Sequence, residues 1–517
     1  MRAGRVVVVG AGIGGLVAAL ELASQGVEVV VLERAAAPGG KMRQVGIGGR
    51  QLDAGPTVFT MRWVFDELFA RVGASLAAHL TLLPAQLLAR HAWSAHERLD
   101  LFADIERSAD AIGAFAGAAE ARGYREFCER ARRIYTTLER PFLRGSRPTP
   151  WSLVGRVGLR GLPELAHISP FATMWGALGQ HLHDPRLRQL FGRYATYCGA
   201  SPFLAPATLM LVAHVEQEGV WRVEGGMHRL ATALADLGAM QGVTFRYGAD
   251  VSQILADRGR VTGVRLGNDE RIAADAVVFN GDVAALGAGL LGEPARRATT
   301  RYRPAARSLS AVTWNLVART GGFPLSHHNV FFSGDYAAEF DDLFGRSRLP
   351  AAPTVYVCAQ DRGDRDGSAA RGPERLLCLV NAPATGDSRP SSPKELLQCE
   401  EQTFRMLSRC GLQVDRSPAH TVMTTPADFA RLFPATGGAL YGQASHGWTA
   451  SFTRPGARSR IPGLYLAGGS THPGPGVPMA ALSGRQAAAS LLEDRLDRRA
   501  STRPSRPVAT PGGISTR

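Results

Sequence analysis

The sequence predicts an α/β protein organised around a parallel sheet, and three observations carry that expectation. A β-branched run, Val6–Val9, leads into glycines 10, 12, 14 and 15 and then into a helix-like stretch. A second β-branched run ends on the acid Glu33. Near the other end, residues 463–485 give a short apolar strand, a glycine- and proline-rich loop and a helix-forming segment. The chain has 517 residues, 45% hydrophobic and 20% charged, which is the balance of a folded rather than a disordered protein. That length accommodates two to four domain-sized units.

Val6–Val9 reads as a buried parallel strand, Leu16–Gln25 as a helix, and Val27–Leu32 as a second strand. Gly10, Gly12 and Gly15 satisfy G-x-G-x-x-G. In that motif the first glycine allows a tight turn, the second admits a pyrophosphate to the backbone, and the third lets helix and strand pack closely. The helix N-terminus then offers free N–H groups to the phosphates. Glu33 stands where a carboxylate accepts hydrogen bonds from a ribose diol and repels a 2′-phosphate, which argues against NADP. A strand–helix corner with no ligand is the plain alternative, and strand, glycines, helix, strand and acid in register argue against it.

Beyond Glu33 come Pro38-Gly39-Gly40-Lys41 and then Leu52-Asp53-Ala54-Gly55-Pro56-Thr57. These stretches resemble the FAD-binding entry of the flavin amine oxidase and phytoene desaturase superfamily, which also includes GDI-like proteins. Residues 463–485, with Gly468-Gly469-Ser470-Thr471-His472-Pro473-Gly474 and Val477-Pro478-Met479, closely resemble the C-terminal signature of bacterial-type carotenoid desaturases. The resemblance implies a Rossmann-like FAD-binding domain. Its implied cofactor contacts are Gly10, Gly12, Gly14, Gly15, Glu33, Gly39, Gly40, Lys41, Gly55, Pro56, Thr57, Val251, Gly468, Gly469, Val477, Pro478 and Met479. Proline suits a first helical position, so a helix is expected from Pro478. Its N-terminus would stabilise negative charge on a reduced flavin. His472 has the chemistry of an acid or base; the competing reading is a loop residue packed near the isoalloxazine.

In the middle of the chain, a helix-like stretch (228–238) precedes strand patterns at 243–247, 251–256, 261–266 and 274–280. This order is similar to the family's return to the FAD domain. The cofactor domain is therefore expected to be discontinuous, from residues 1–75, 220–300 and 418–492. Residues 76–219 and 301–417 would form a discontinuous α+β substrate domain with a helical membrane-facing part, and 493–517 a disordered tail. The segments around His327-His328-Asn329-Val330-Phe331-Phe332-Ser333 and Tyr356-Val357-Cys358-Ala359-Gln360-Asp361 look most like the 1-hydroxycarotenoid 3,4-desaturases, that is, methoxyneurosporene or hydroxyneurosporene dehydrogenases. Adjacent histidines on a strand face opposite ways, so no metal site is expected there.

The formal net charge is +14, from 59 basic and 45 acidic residues. All basic residues except Lys41 and Lys394 are arginine, a bias that fits a GC-rich genome. The charge is not spread evenly: residues 122–160 hold ten arginines against three acids, interleaved with Tyr135, Phe142 and Trp151. Arginine beside aromatic residues suits docking on an anionic membrane surface, and a solvated helix face is the alternative. No nucleic-acid motif accompanies the charge, so nucleic acid is not an expected partner. The six cysteines form no C-x-x-C and are read as reduced thiols. The expected location is peripheral, on the cytoplasmic side of a bacterial inner or intracytoplasmic membrane. Neither a signal peptide nor a transmembrane helix is expected, since four glycines interrupt the first apolar run.

The resemblance implies FAD-dependent introduction of the C3–C4 double bond into an acyclic C40 carotenoid bearing a 1-hydroxy or 1-methoxy group. Hydride leaves an allylic carbon for flavin N5, and the neighbouring carbon loses a proton. Such chemistry asks the protein for alignment and water exclusion, not for a catalytic triad. Oxygen or a quinone would reoxidise the flavin. Phytoene-type multistep desaturation and carotenoid isomerisation fit the same scaffold. So does a non-catalytic, GDI-like prenyl-lipid binder, which an intact cofactor fingerprint at both ends argues against.

Overall fold

The computed structural model describes residues 4–158, 171–363 and 372–501. Five parallel strands form the central sheet, in the spatial order Thr244–Tyr247, Val29–Glu33, Val6–Val9, Ala276–Phe279 and Leu464–Leu466. Val8 pairs with Val31 on one side and with Val278 on the other. Both faces of the Val6–Val9 strand are covered, which is why its sequence is continuously apolar and does not alternate. Val6 and Val8 pack into the core under the helices, whereas Val7 and Val9 pack under the antiparallel unit 251–273 on the opposite face.

Three helices cover the first face: Ile13–Ala23, His228–Met240 and Val477–Ser501. The first of them begins right after Gly12, three residues before the sequence pattern placed it, because the glycines at 14 and 15 are themselves helical. The last runs to Ser501, well past the expected start of a disordered tail at 493. Its final turns are tied down: the Tyr465 hydroxyl donates to Asp494 at 2.7 Å, and Arg458 pairs with Glu493 and Asp494. The rest of the expected tail, 502–517, lies outside the described residues.

A second, larger sheet of eight strands stands beside the first. Its backbone is the antiparallel set Ser310–Gly321, Glu374–Ala382, Val355–Ala359 and His328–Phe331. Leu87–Ala92 joins in parallel to His328–Phe331, and Arg98–Phe102 closes that edge. Thr421–Thr424 pairs with Ser310–Gly321, so the chain is still in the larger sheet after residue 418. A helical cap packs against this sheet, built chiefly from Ala118–Leu138, the π-helical turn Glu139–Leu143, Pro150–Val157, Pro185–Gly192 and Leu211–Gln217. Ala118–Leu138 buries Tyr124, Phe127, Ala131 and Ile134 on one stripe and leaves Arg122, Arg132 and Arg133 exposed, the amphipathic pattern of a helix lying on a core.

No described helix is long and apolar enough to cross a membrane. All six cysteines are free thiols, five of them buried.

Candidate functional site

The end of the Val6–Val9 strand opens on a cavity of about 1110 Å³ that lies between the two sheets and the cap. Every sequence-nominated cofactor residue lines it except Gly15, and the candidate acid or base His472 does not line it. Gly15 serves packing instead: a Cβ there would collide with the Gly10 carbonyl oxygen and lie 3.1 Å from Cβ of Asn280. The Glu33 carboxylate is buried and accepts from the backbone N–H of Ala11 at 2.7 Å and of Ala35 at 2.8 Å. Its position beside the glycine loop is therefore fixed by the loop's own backbone. Gly39 and Gly40, at φ +122° and +59°, fold the chain back so that the Gly39 N–H donates to the Ala11 carbonyl at 2.9 Å. A β-carbon at Gly40 would lie 3.3 Å from Cα of Gly12.

Two helix N-termini face this cavity, at Ile13 and at Val477. Between them, Asn280 sits against the glycine loop: a Cβ at Gly12 or Gly14 would come within 2.7 or 2.6 Å of its amide. Asp282 caps the following helix with Oδ1, while its buried Oδ2 has no hydrogen-bond partner among the described residues. Lys41 donates to the Leu440 carbonyl at 2.6 Å, and burial lowers its pKa. Arg454 donates to the carbonyls of Tyr441, Gly469 and Gln443, which fastens the C-terminal loop to the cap side of the cavity.

A strand-ending glycine loop, a buried carboxylate, a second helix N-terminus and side-chain-free backbone around one cavity fit a flavin dinucleotide. The sequence pattern of the family described as flavin containing amine oxidoreductase matches residues 13–492.

The chain belongs to that family.

Its cofactor is FAD, and it is an FAD-dependent oxidoreductase. The chain is similar to a hydroxyneurosporene desaturase of Rubrivivax gelatinosus, with 59% identity over 100% of this chain and 98% of the relative. A hydroxyneurosporene desaturase of Cereibacter sphaeroides is 48% identical over 96% of this chain and 98% of the relative. Among solved structures, an oxidoreductase from Methanosarcina mazei superposes with a TM-score of 0.60, covering 95% of this chain and 100% of its own, at 18% identity. That last likeness shows the fold.

The cavity couples a polar cofactor cradle to a mostly apolar lining. Toward the cap it is walled by Leu138, Phe142, Leu209, Leu211, Val212 and Val215, and toward the larger sheet by Leu377 and Leu379. Glu339 and Glu216 also line it. Glu339 accepts from the hydroxyls of Ser333 and Thr354 at 3.0 and 2.6 Å, and burial pushes its pKa up to about 7. Glu216 accepts from the hydroxyls of Tyr194 and Tyr197, and its pKa is raised, again chiefly by burial.

His472 is buried but not part of the lining. Its Nε2 donates to the carbonyls of Phe142 and Gly145 at 2.9 and 3.1 Å, and its ring meets Phe142 edge-on. The residue thus ties the cap to the C-terminal loop. His327 and His328 do not diverge as adjacent strand residues should, because the strand starts only at His328. Their rings lie 4.5 Å apart, and Cys358 Sγ is 3.6 Å from His327 Nε2, so three possible metal ligands converge. Burial first, then the neighbouring His327 and the charges of Arg193 and Arg222, hold the His328 pKa well below its ordinary value. One ring nitrogen of each is engaged, His327 Nδ1 with the Arg362 carbonyl and His328 Nδ1 with the Tyr356 hydroxyl, whereas His328 Nε2 is buried without a hydrogen-bond partner among the described residues.

Asn280, Asp282, Arg454, Arg193 and Glu216 were not singled out from sequence. Asn280 and Asp282 follow a buried strand and could have been found by that position. Arg193 and Glu216 sit in short cap helices with no motif.

The buried histidines give a pH signature. Burial pushes His91 down to about 3 and His327, His446 and His472 down to about 4, from an ordinary 6.5. Between pH 6.5 and 4 the unfolded chain therefore binds protons that the folded chain does not. Their contribution is complete above pH 6.5 and is lost as pH falls, by about 1.4 kcal/mol per pH unit for each ring. Glu339 and Glu216, raised in the fold, act in the opposite sense but are two against four. The thermal midpoint is expected to fall on acidification from pH 6.5 to 4.5; a flat midpoint over that range contradicts the buried, neutral histidines.

Proposed function

We propose that this chain desaturates an acyclic C40 carotenoid carrying a 1-hydroxy or 1-methoxy group, introducing the C3–C4 double bond. The observation that carries the reading is the continuity of an apolar cavity with the cofactor cradle, together with full-length similarity to two proteins named hydroxyneurosporene desaturase. Bound FAD supplies the two-electron acceptor. The protein's part is to hold a flexible polyene against that acceptor and exclude water, for which apolar walls suffice. FAD held by the cradle around Gly12, Glu33 and Gly468 would take up the two electrons as one hydride and one proton leave adjacent substrate carbons, with oxygen or a quinone as the final oxidant. In this reading residues 1–75, 220–300 and the C-terminal stretch to 492 hold the cofactor. Residues 76–219 and 301–417, joined by 421–424, hold the substrate.

The substrate is insoluble in water, and the cavity's mouth supports delivery from a lipid surface. Pro150, Leu153, Val154, Phe171 and Trp448 line it. Beside them Trp151 is 85% exposed and Phe171 75%. Exposed aromatic residues next to exposed arginines suit an interfacial anchor and support the reading of a location at a membrane face. The arginines of 122–160 are not all free to serve. Arg144 stacks on Trp63 and pairs with Glu67 and Glu139, Arg125 pairs with Glu106, and Arg156 donates to the carbonyls of Pro141 and Ser146. Arg133 and Arg140 are exposed and stand in no ion pair among the described residues. Arg160 lies outside the described residues.

Phytoene, neurosporene and 1-hydroxyneurosporene, supplied separately in liposomes to the FAD-loaded protein, separate the readings. Only the hydroxylated substrate is expected to gain the C3–C4 double bond. Equal conversion of all three points to a multistep desaturase, and carotenoid bound without conversion points to an escort protein. For docking, Trp151→Ser combined with Phe171→Ser should reduce flotation with anionic vesicles severalfold; unchanged flotation leaves a merely solvated face.

A further inference from the structure

The inner end of the cavity holds a cation that the desaturase chemistry does not call for. Arg193 starts a short 3-10 helix, Arg193–Cys198, in the cap and lines the large cavity. Its guanidinium lies 5.6 Å from the ring centre of Tyr197 and 5.3 Å from that of Tyr356. The groups that face it most closely are phenols, those of Tyr197, Tyr356 and Tyr336. No carboxylate among the described residues lies within ion-pair distance. Glu216 and Glu339 feel its charge. Both are occupied: Glu216 by two tyrosine hydroxyls at 2.6 and 2.8 Å, and Glu339 by Ser333 and Thr354.

A guanidinium in an apolar cavity is costly unless its donors are met. Its five N–H groups can only donate; the Tyr197 hydroxyl hydrogen-bonds to it, and the donors left over call for a further oxygen. Arg193 also borders a second cavity, of about 20 Å³, with His328 and Tyr356. That space holds about one water, which cannot satisfy the whole fork.

We propose that Arg193, braced between Tyr197 and Tyr356, is the specificity-determining residue that donates a hydrogen bond to the oxygen on C1 of the substrate. This rests on the desaturase reading and adds the residue that selects an oxygenated end group. The placement agrees with the chemistry. C1 is two carbons from the bond to be oxidised, so its oxygen has to sit close to the flavin. Tyr356 donates or accepts a 2.7 Å hydrogen bond with Thr57, which belongs to the Gly55-Pro56-Thr57 loop of the cofactor cradle. Arg193 is thus one aromatic ring away from that loop, and the long hydrocarbon remainder points toward the aromatic mouth. A substrate without the oxygen leaves the guanidinium's remaining donors unmet, and a site built to bond a hydroxyl rejects the analogue lacking it.

The test compares 1-hydroxyneurosporene with neurosporene on FAD-loaded wild type, Arg193→Leu and Arg193→Lys. Flavin content and absorbance serve as the check on folding. The wild-type ratio of kcat/KM is expected to favour the hydroxylated substrate about a hundredfold or more. In Arg193→Leu the ratio should fall below about tenfold through loss of kcat/KM on the hydroxylated substrate, with Arg193→Lys in between. An unchanged ratio in Arg193→Leu, or equal losses on both substrates, overturns the assignment to Arg193 and leaves the desaturase reading standing. A wild type that converts neither substrate overturns both.

Discussion

Stretches of backbone meet in this protein around the side chain of Asn280, with no room for a further β-carbon on the glycines. The glycine loop 10–15, the end of the strand at Asn280, the C-terminal loop at Gly468 and the long helix at Gly484 approach within van der Waals distance of one another. A Cβ at Gly14 would lie 2.8 Å from the Gly468 nitrogen, and one at Gly484 would collide with the Gly14 carbonyl. This approach brings together residues more than 450 positions apart. It sets two helix N-termini on one cavity and leaves bare backbone where a pyrophosphate and a flavin must lie close. Everything else is placed relative to that junction.

From the junction outward, polarity falls and then returns. The cradle is rich in N–H donors and fixed by the Glu33 carboxylate. The middle of the cavity is walled by leucine, valine and phenylalanine. Polar side chains reappear at the inner end, around Arg193, Tyr197 and Glu216, and aromatic residues at the mouth. A hydrocarbon with one oxygenated end matches that sequence of surfaces. Such a substrate asks the protein for alignment beside a tuned acceptor, and not for a catalytic triad. His472 serves the same end indirectly, by pinning the cap to the loop that carries Gly468–Met479.

The cofactor half was legible in the sequence because its physics is local. Glycines at fixed offsets between a strand and a helix, and an acid at the end of the next strand, are demanded by backbone geometry and can be read residue by residue. The substrate half was far less so. Arg193 and Glu216 lie in short helices of the cap, and only the tertiary packing brings them beside Tyr356 of the larger sheet. The same holds for His327, His328 and Cys358. Their convergence depends on a strand that begins one residue later than periodicity implies. The arginine-rich segment was visible as composition, but composition could not distinguish Arg144, locked on Trp63, from Arg133 and Arg140 in solvent. The first nine residues of the expected tail, 493–501, are instead helical, a stretch containing helix-forming Arg and Leu to which Arg458 adds ion pairs at Glu493 and Asp494.

The central claim is that one cavity carries both the flavin and the oxidisable end of the polyene. Its most direct measurement is the flavin absorbance of the FAD-loaded protein when 1-hydroxyneurosporene is added in vesicles without oxygen or quinone. Bleaching of the bound flavin, one equivalent of desaturated product per flavin, and slowing by deuterium at C3 and C4 are expected. Flavin that stays oxidised while the carotenoid is bound, or product formed without bleaching, would contradict the claim.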